Sequence, residues 1–297
     1  ATISQQGHAS LNVSIPNDPD LVGRTLFGRW FVSGGSGTSV TPSFRITVFA
    51  PPAPPDGTTL LSSVSAAAFV VGAVAPDSIV SGFGSGLATS TATAQTLPLP
   101  TTLAGVSVTV SDSRGVERRA RLFFVGPGQI NYLVPADTAL GEATVSVRWG
   151  GVVVSSGTLQ IETVAPSLFT ANADGRDVAA AQVLRVRPDG SQSIEPVARF
   201  DPAQGRFVPT PIDFGPEGDR LFLILFGAGI RGRGQTPAQV TVGGSELDVL
   251  FADAHAVFAG LDQLNAELPR NLAGAGVVAV HAAVGDAVSN TASLEFQ

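Results

Sequence analysis

The chain has 297 residues, 34 of them Gly and 21 Pro, with 14% charged residues and a formal net charge of −7. Every one of the 17 basic residues is Arg, and Cys and Met are both absent. That excludes thiol chemistry, a disulfide framework and a Cys-based metal centre, and it leaves no basic face for a nucleic-acid backbone.

Val, Thr, Ser and Ala dominate between the glycines, which suits short strands and tight turns and suits helix poorly. Residues 1–50 read as a partial β segment. Residues 10–15, 24–32 and 43–49 alternate apolar and polar side chains, and Pro16-Asn-Asp-Pro-Asp20 supplies a turn after the first. Three strands rarely stabilise themselves, so their apolar face is expected to find a partner elsewhere in this chain or in another subunit. The Pro-rich residues 51–58 form a stiff linker. Residues 60–74 are compatible with helix or strand, and an extended entry into the next domain is favoured.

A first sandwich is expected over residues 59–164, with strands at 78–83, 106–110, 120–125, 129–134, 143–148 and 157–162. Asp112-Ser-Arg-Gly115 and Trp149-Gly-Gly151 make its hairpin turns. Residues 165–216 read as a connector carrying a hairpin at 179–186 and 192–200. A second sandwich follows over 217–297, with strands at 220–226, 238–242, 246–251, 256–259, 263–268, 277–283 and 292–296. Residues 252–272 have helix-compatible composition, but comparison with the first copy assigns them to strand. Short strands at this spacing make the fold class all-β, as tandem immunoglobulin-like sandwiches.

The tandem reading rests on a repeat. Phe124-Val-Gly-Pro-Gly-Gln129-Ile130-Asn131-Tyr-Leu-Val-Pro135 aligns without a gap with Phe258-Ala-Gly-Leu-Asp-Gln263-Leu264-Asn265-Ala-Glu-Leu-Pro269. Upstream, Phe83-Gly-Ser-Gly-Leu87 matches Phe226-Gly-Ala-Gly-Ile230. Gln129, Asn131 and Pro135, with Gln263, Asn265 and Pro269, are therefore read as a structural motif in which buried amides serve backbone groups where strands turn.

With these motifs the chain resembles the secreted-protein family typified by the C-terminal domain of Solibacter and other Acidobacteria. The marks include Val74-Ala-Pro-Asp-Ser-Ile-Val-Ser-Gly-Phe-Gly-Ser-Gly-Leu87, Val164-Ala-Pro-Ser-Leu-Phe-Thr170 and Leu221-Phe-Leu-Ile-Leu-Phe-Gly227. The resemblance covers roughly residues 60–297. It implies export and immunoglobulin-like sandwiches, and it carries over no catalytic residue.

Other candidate chemistry is weak. Gly227-Ala-Gly-Ile-Arg-Gly232 matches a dinucleotide fingerprint after a strand, yet the breaker-rich Arg-Gly-Gln-Thr-Pro237 follows where a helix must start. His8, His255 and His281 are scattered, without metal-ligand spacing. Ser85 does not meet the nucleophile-elbow pattern. Asp18/Asp20 and Asp174/Asp177 fit turns better than calcium loops. Trp149, beside Gly150 and Gly151, is the best single candidate for ligand contact, though partial core burial is the favoured reading.

No catalytic residue, cofactor or metal site is expected. The function expected is that of a non-enzymatic exported structural protein that assembles with itself by strand complementation into a cell-surface or extracellular fibre. The alternative is an extracellular adhesion or glycan-binding module. No stretch is long and apolar enough for a membrane span, and Ala1 fits the residue left after signal-peptide removal.

Overall fold

The structure is a computed structural model that describes residues 58–297 and, before them, the backbone of four short strands. The chain divides into two compact units, Ala1–Asp56 and Gly57–Gln297. In the first, Thr25–Gly28 pairs antiparallel with Phe44–Thr47 and Phe31–Gly34 with Gly37–Val40. The strand expected at residues 10–15, the Pro16-to-Asp20 turn and linker residues 51–57 lie outside the described residues, as do His8 and Trp30.

The second unit is all-β. Among the described residues, helix is confined to the 3-10 turns Arg231–Arg233 and Arg270–Leu272. In its first half, one five-stranded sheet runs in the order Ser62–Ser65, Ile79–Phe83, Gln129–Leu133, Arg121–Val125, Ala92–Thr93. The facing sheet runs Glu117–Arg119, Val106–Ser111, Gly141–Trp149, Val152–Ile161, Thr59–Leu60. Strand alternation sends Val106, Val108, Val110, Val145 and Val147 inward from one sheet. They meet Val80, Leu122, Ile130 and Tyr132 from the other, all fully buried. The Tyr132 hydroxyl keeps a partner there, donating to Ser63 Oγ at 3.0 Å.

The second half repeats the plan. One sheet is ordered Gln192–Pro196, Ala181–Val186, Arg220–Ala228, Asp262–Leu268, Val249–Ala254, and Ser167–Leu168 also pairs with Arg220–Ala228. The other holds Ser245–Leu247, Ala238–Val242, Gly276–Val284 and Ala287–Val288, with Ala292–Phe296 also on Gly276–Val284. Leu221, Leu223, Leu225 and Leu264 pack against Val240, Val242, Val280 and Leu294. Residues 165–216 do more than connect, since the Ala181–Val186 hairpin extends the sheet built on Arg220–Ala228.

The two sandwiches meet where residues 163–167 cross the end of Arg220–Ala228. Alternate carbonyls of this crossing abut three glycines. A Cβ on Gly227 would stand 2.6 Å from the Ser167 oxygen, one on Gly229 2.1 Å from that of Ala165, and one on Gly232 2.2 Å from that of Thr163. Ala165 N–H donates back to the Gly229 carbonyl at 2.9 Å. A 2.8 Å hydroxyl bond between Ser65 and Ser167 also ties the halves together. Within the second half, Asn290 bonds both the N–H and C=O of Leu168 and the carbonyl of Gly175.

Gly229 and Gly190 both have positive φ, but open space surrounds Gly190. Gly190→Ala is expected to cost only the backbone strain, about 1–3 kcal/mol. Gly229→Ala adds the carbonyl clash and is expected to lower thermal stability well beyond that. Paired urea melts of the two variants measure the difference.

Candidate functional site

The repeated amides occupy equivalent strands. Gln129 and Asn131 lie on Gln129–Leu133, and Gln263 and Asn265 on Asp262–Leu268. Two residues apart on a strand, each pair shares one face. Gln129 Nε2 donates to Asn131 Oδ1 at 2.8 Å, and Gln263 Nε2 to Asn265 Oδ1 at the same distance. Each bond joins the Gln and Asn side chains of one pair along the strand, beside the expectation that these amides serve backbone groups. Pro135 and Pro269 end these stretches, and the carbonyl of each accepts a turn bond from three residues on, Thr138 and Leu272.

The ungapped alignment fails at its first residue. Phe124 pairs opposite Asn131 beside a β-bulge, and the residue so placed opposite Asn265 is Phe251, also beside a bulge. Phe258 lies instead in a turn, 60% exposed, and residues 256–259 form no strand. His255 organises that turn, its Nδ1 accepting from Val257 and Phe258 N–H.

The Gly227-to-Gly232 motif is filled by the chain's own carbonyls, which leave no space for a pyrophosphate and would repel one. Just beyond it lies fully buried Asp262. Its carboxylate accepts from Ile230 N at 2.7 Å and from Arg231 N and Nε at 3.2 and 2.6 Å. This closed ion pair holds the turn after Gly229. Asp174 accepts from Thr170 and Arg176, and Asp177 pairs with Arg206 at 2.7 Å. His281 stands on Gly276–Val284, far in the chain from His255. Among the described residues, no group of three His, Asp or Glu comes together as a metal site.

Trp149 ends its strand opposite Val106, continuing the inward row of Val145 and Val147 past the core, and is 44% exposed. Its neighbour Arg148 faces a groove of about 570 Å³ on the outer sheet face. Ser107 and Thr109 line this groove with Arg118, Arg119 and Arg148 and one acid, Glu117. Trp149 only borders it, across Gly105. Asp112 anchors one side, accepting from Arg118 Nη1 at 2.6 Å and from the N–H groups of Arg114, Val116 and Ala139.

A second cleft, of about 430 Å³, lies in the other sandwich. Its acids are Glu217, Asp219, Glu246, Asp248 and Glu267, set against Arg220 and Arg270. Glu267 is taken by Arg220 in a two-pronged pair at 2.8 and 2.7 Å. Asp219 is buried against Arg185, which also grips Glu195.

The third distinctive surface is a sheet edge. Val249–Ala254 has a ladder partner on one side only. Leu250 is 55% exposed and Phe251 41%, and exposed Val257 and Phe258 follow in the next turn. Sequence reasoning missed the groove, the cleft and the edge, because their members are distant in the chain or sit in an ordinary-looking strand. No helix of the described residues is long and apolar enough to cross a membrane. No protein-family model matches the chain, and no curated protein matches it either.

Burial alone would raise the Asp112 carboxyl, but the N–H groups of Ala139 and Val116, Arg118 and the Arg114 N–H together hold it well below its ordinary 3.8. A depressed carboxyl stabilises the fold above its unfolded value, and that stability is lost as pH falls toward the folded value. The stability gap between wild type and Asp112→Asn is therefore expected to be flat above about pH 5. It should narrow as pH drops through and below 3.8. Urea midpoints across acid pH check this.

Proposed function

We propose that this is a non-enzymatic, exported structural protein that assembles with copies of itself through β-strand complementation, as a cell-surface or extracellular fibre. The observation that carries the reading is the open edge Val249–Ala254, with Leu250 and Phe251 exposed along it. The Ala252 carbonyl on this strand accepts from Arg233 Nε at 2.8 Å and the Ala254 N–H donates to Asp253 Oδ1, so it is the Val249-to-Phe251 part of the edge, beside the exposed apolar side chains, that offers a template for an added strand. Within this reading the added strand comes from residues 10–15 of a neighbouring copy, where Leu11, Val13 and Ile15 alternate with Asn12 and Ser14.

Export and the immunoglobulin-like character of the sandwiches rest on the resemblance to the acidobacterial family. The absence of Cys and Met supports an unrepaired extracellular setting, because it removes the most easily oxidised side chains.

Size-exclusion chromatography and negative-stain imaging at micromolar protein test the assembly. Wild type is expected to form large species. Deletion of residues 1–50, or Leu250→Lys at the edge, is expected to yield single particles. A clean wild-type monomer, unchanged by the deletion, sinks the reading.

The alternative, an adhesion or glycan-binding module, draws on a different observation. Phe200 and Phe207 face each other across the hairpin Ala198–Asp201 and Arg206–Pro209, both exposed, with ring centroids 5.6 Å apart. On that reading a glycan array retains wild type, and Phe200→Ala or Trp149→Ala loses most of the signal. Retention of neither wild type nor variants removes it.

A further inference from the structure

We propose that copies join head to tail by charge, the arginine groove of the first sandwich receiving the acidic rim of the second sandwich's cleft on the next molecule. This deepens the self-assembly reading and rests on it.

The charge distribution carries the inference. The molecule is acidic overall, at −7, yet the groove sets three arginines against one glutamate. Arg118 is answered by Asp112 at 2.6 Å, but Arg148 reaches Glu117 only at 3.8 Å. Arg119 is exposed and has no ion pair among the described residues. The cleft is the counterpart. With Glu267 and Asp219 committed to Arg220 and Arg185, the acids left over are Glu217, Glu246 and Asp248. Both Glu217, on a turn, and Asp248, between the strands Ser245–Leu247 and Val249–Ala254, are exposed.

Position makes the contact intermolecular. The Gly141 end of Gly141–Trp149 adjoins the junction, sharing a depression with Val164 and Val284. The groove lies toward the other end, Arg119 level with Ser146 through Thr109 and Arg148 farther along, about 17 to 23 Å away at strand rise. The Ala228 end of Arg220–Ala228 adjoins the same junction, and the cleft lies at its Arg220 end, about 27 Å off. No ion pair joins groove and cleft within the described residues. Two different, complementary patches in separate sandwiches define a heterologous contact, which generates an open filament when its rotation does not close. Opposite fields also steer the encounter and fix its polarity.

Paired charge reversal on the full chain tests this. Arg119→Glu with Arg148→Glu makes both patches acidic, and Glu217→Arg with Asp248→Arg makes both basic. Each double variant alone is expected to need at least about tenfold more protein than wild type to polymerise at low salt. A one-to-one mixture is expected to restore polymer, because each variant then supplies what the other lacks. That rescue is something a misfolded variant cannot produce. Sedimentation and light scattering, with circular dichroism as the folding check, read the result. If folded variants polymerise like wild type, or the mixture stays dispersed, head-to-tail charge pairing is overturned while strand complementation stands. If wild type itself forms no polymer at any salt, the self-assembly reading fails, and this one with it.

Discussion

The second unit depends on a backbone-on-backbone crossing. Residues 163–167 lie against Gly227, Gly229 and Gly232, and no side chain stands between them. Alternate carbonyls face the glycines because an extended chain turns every second residue the same way. The intervening backbone then continues into the ladder, Ser167 opposite Ala228 and Leu168 opposite Gly227. A connector paired into a sheet loses the freedom of an ordinary linker. Asn290 fastens the same point from the other sheet by spanning both backbone groups of Leu168. Three glycines that resemble a phosphate cradle in one dimension are thus the seat of a strand crossing in three.

The crossing also explains how the duplicated halves diverged. Gly128 precedes the amide pair in the first copy, and its carbonyl accepts from Gly84 N–H. Asp262 holds that place in the second copy and reaches Ile230 and Arg231 instead. A carboxylate without exposure is costly unless fully bonded, and Asp262 is bonded on both oxygens. Leu261 adds its carbonyl to Arg231 Nη2 at 2.7 Å. Gly260 then lets the turn approach Ile79 and Leu133 of the first sandwich, where a Cβ would come within 2.5 and 2.6 Å. The amide pair is the same in both copies, while the residues before it make different contacts in each.

Much of this architecture was legible in the residues. Alternation placed the Val106–Ser111, Gln129–Leu133 and Ala292–Phe296 strands, since a half-buried strand writes its burial into every second position, and a continuous apolar run placed Arg220–Ala228. Legibility ended where a local pattern had two physical causes. Phe258 matches Phe124 in type and spacing, yet a longer excursion in the second copy puts Phe251 at the equivalent ladder position. Trp149 looked like a hairpin-tip contact residue, but alternation directs it away from the groove its neighbour Arg148 lines. The groove and the cleft were invisible for another reason. Strand order, which no window of residues states, gathers Arg119 with Arg148 and Glu217 with Asp248.

Several ionic groups of this sparsely charged chain are spent inside it. Arg185 is buried between Glu195 and Asp219 and also donates to the Asp213 and Phe214 carbonyls. Arg231 closes on Asp262 and Arg118 on Asp112. Such closed pairs orient turns and offer nothing to a partner. Among the charges without an ion pair, Arg119 lies in the groove and Glu217, Glu246 and Asp248 line the cleft, and the exposed apolar side chains at Leu250 and Phe251 line a third surface. On the proposed assembly these surfaces divide the work by physical type. Exposed charges act over about a Debye length and set direction, but are individually weak in salt. A strand added to an edge acts only on contact and supplies ladder bonds and apolar burial. On that proposal, charge would set the orientation of the encounter and the added strand would hold it.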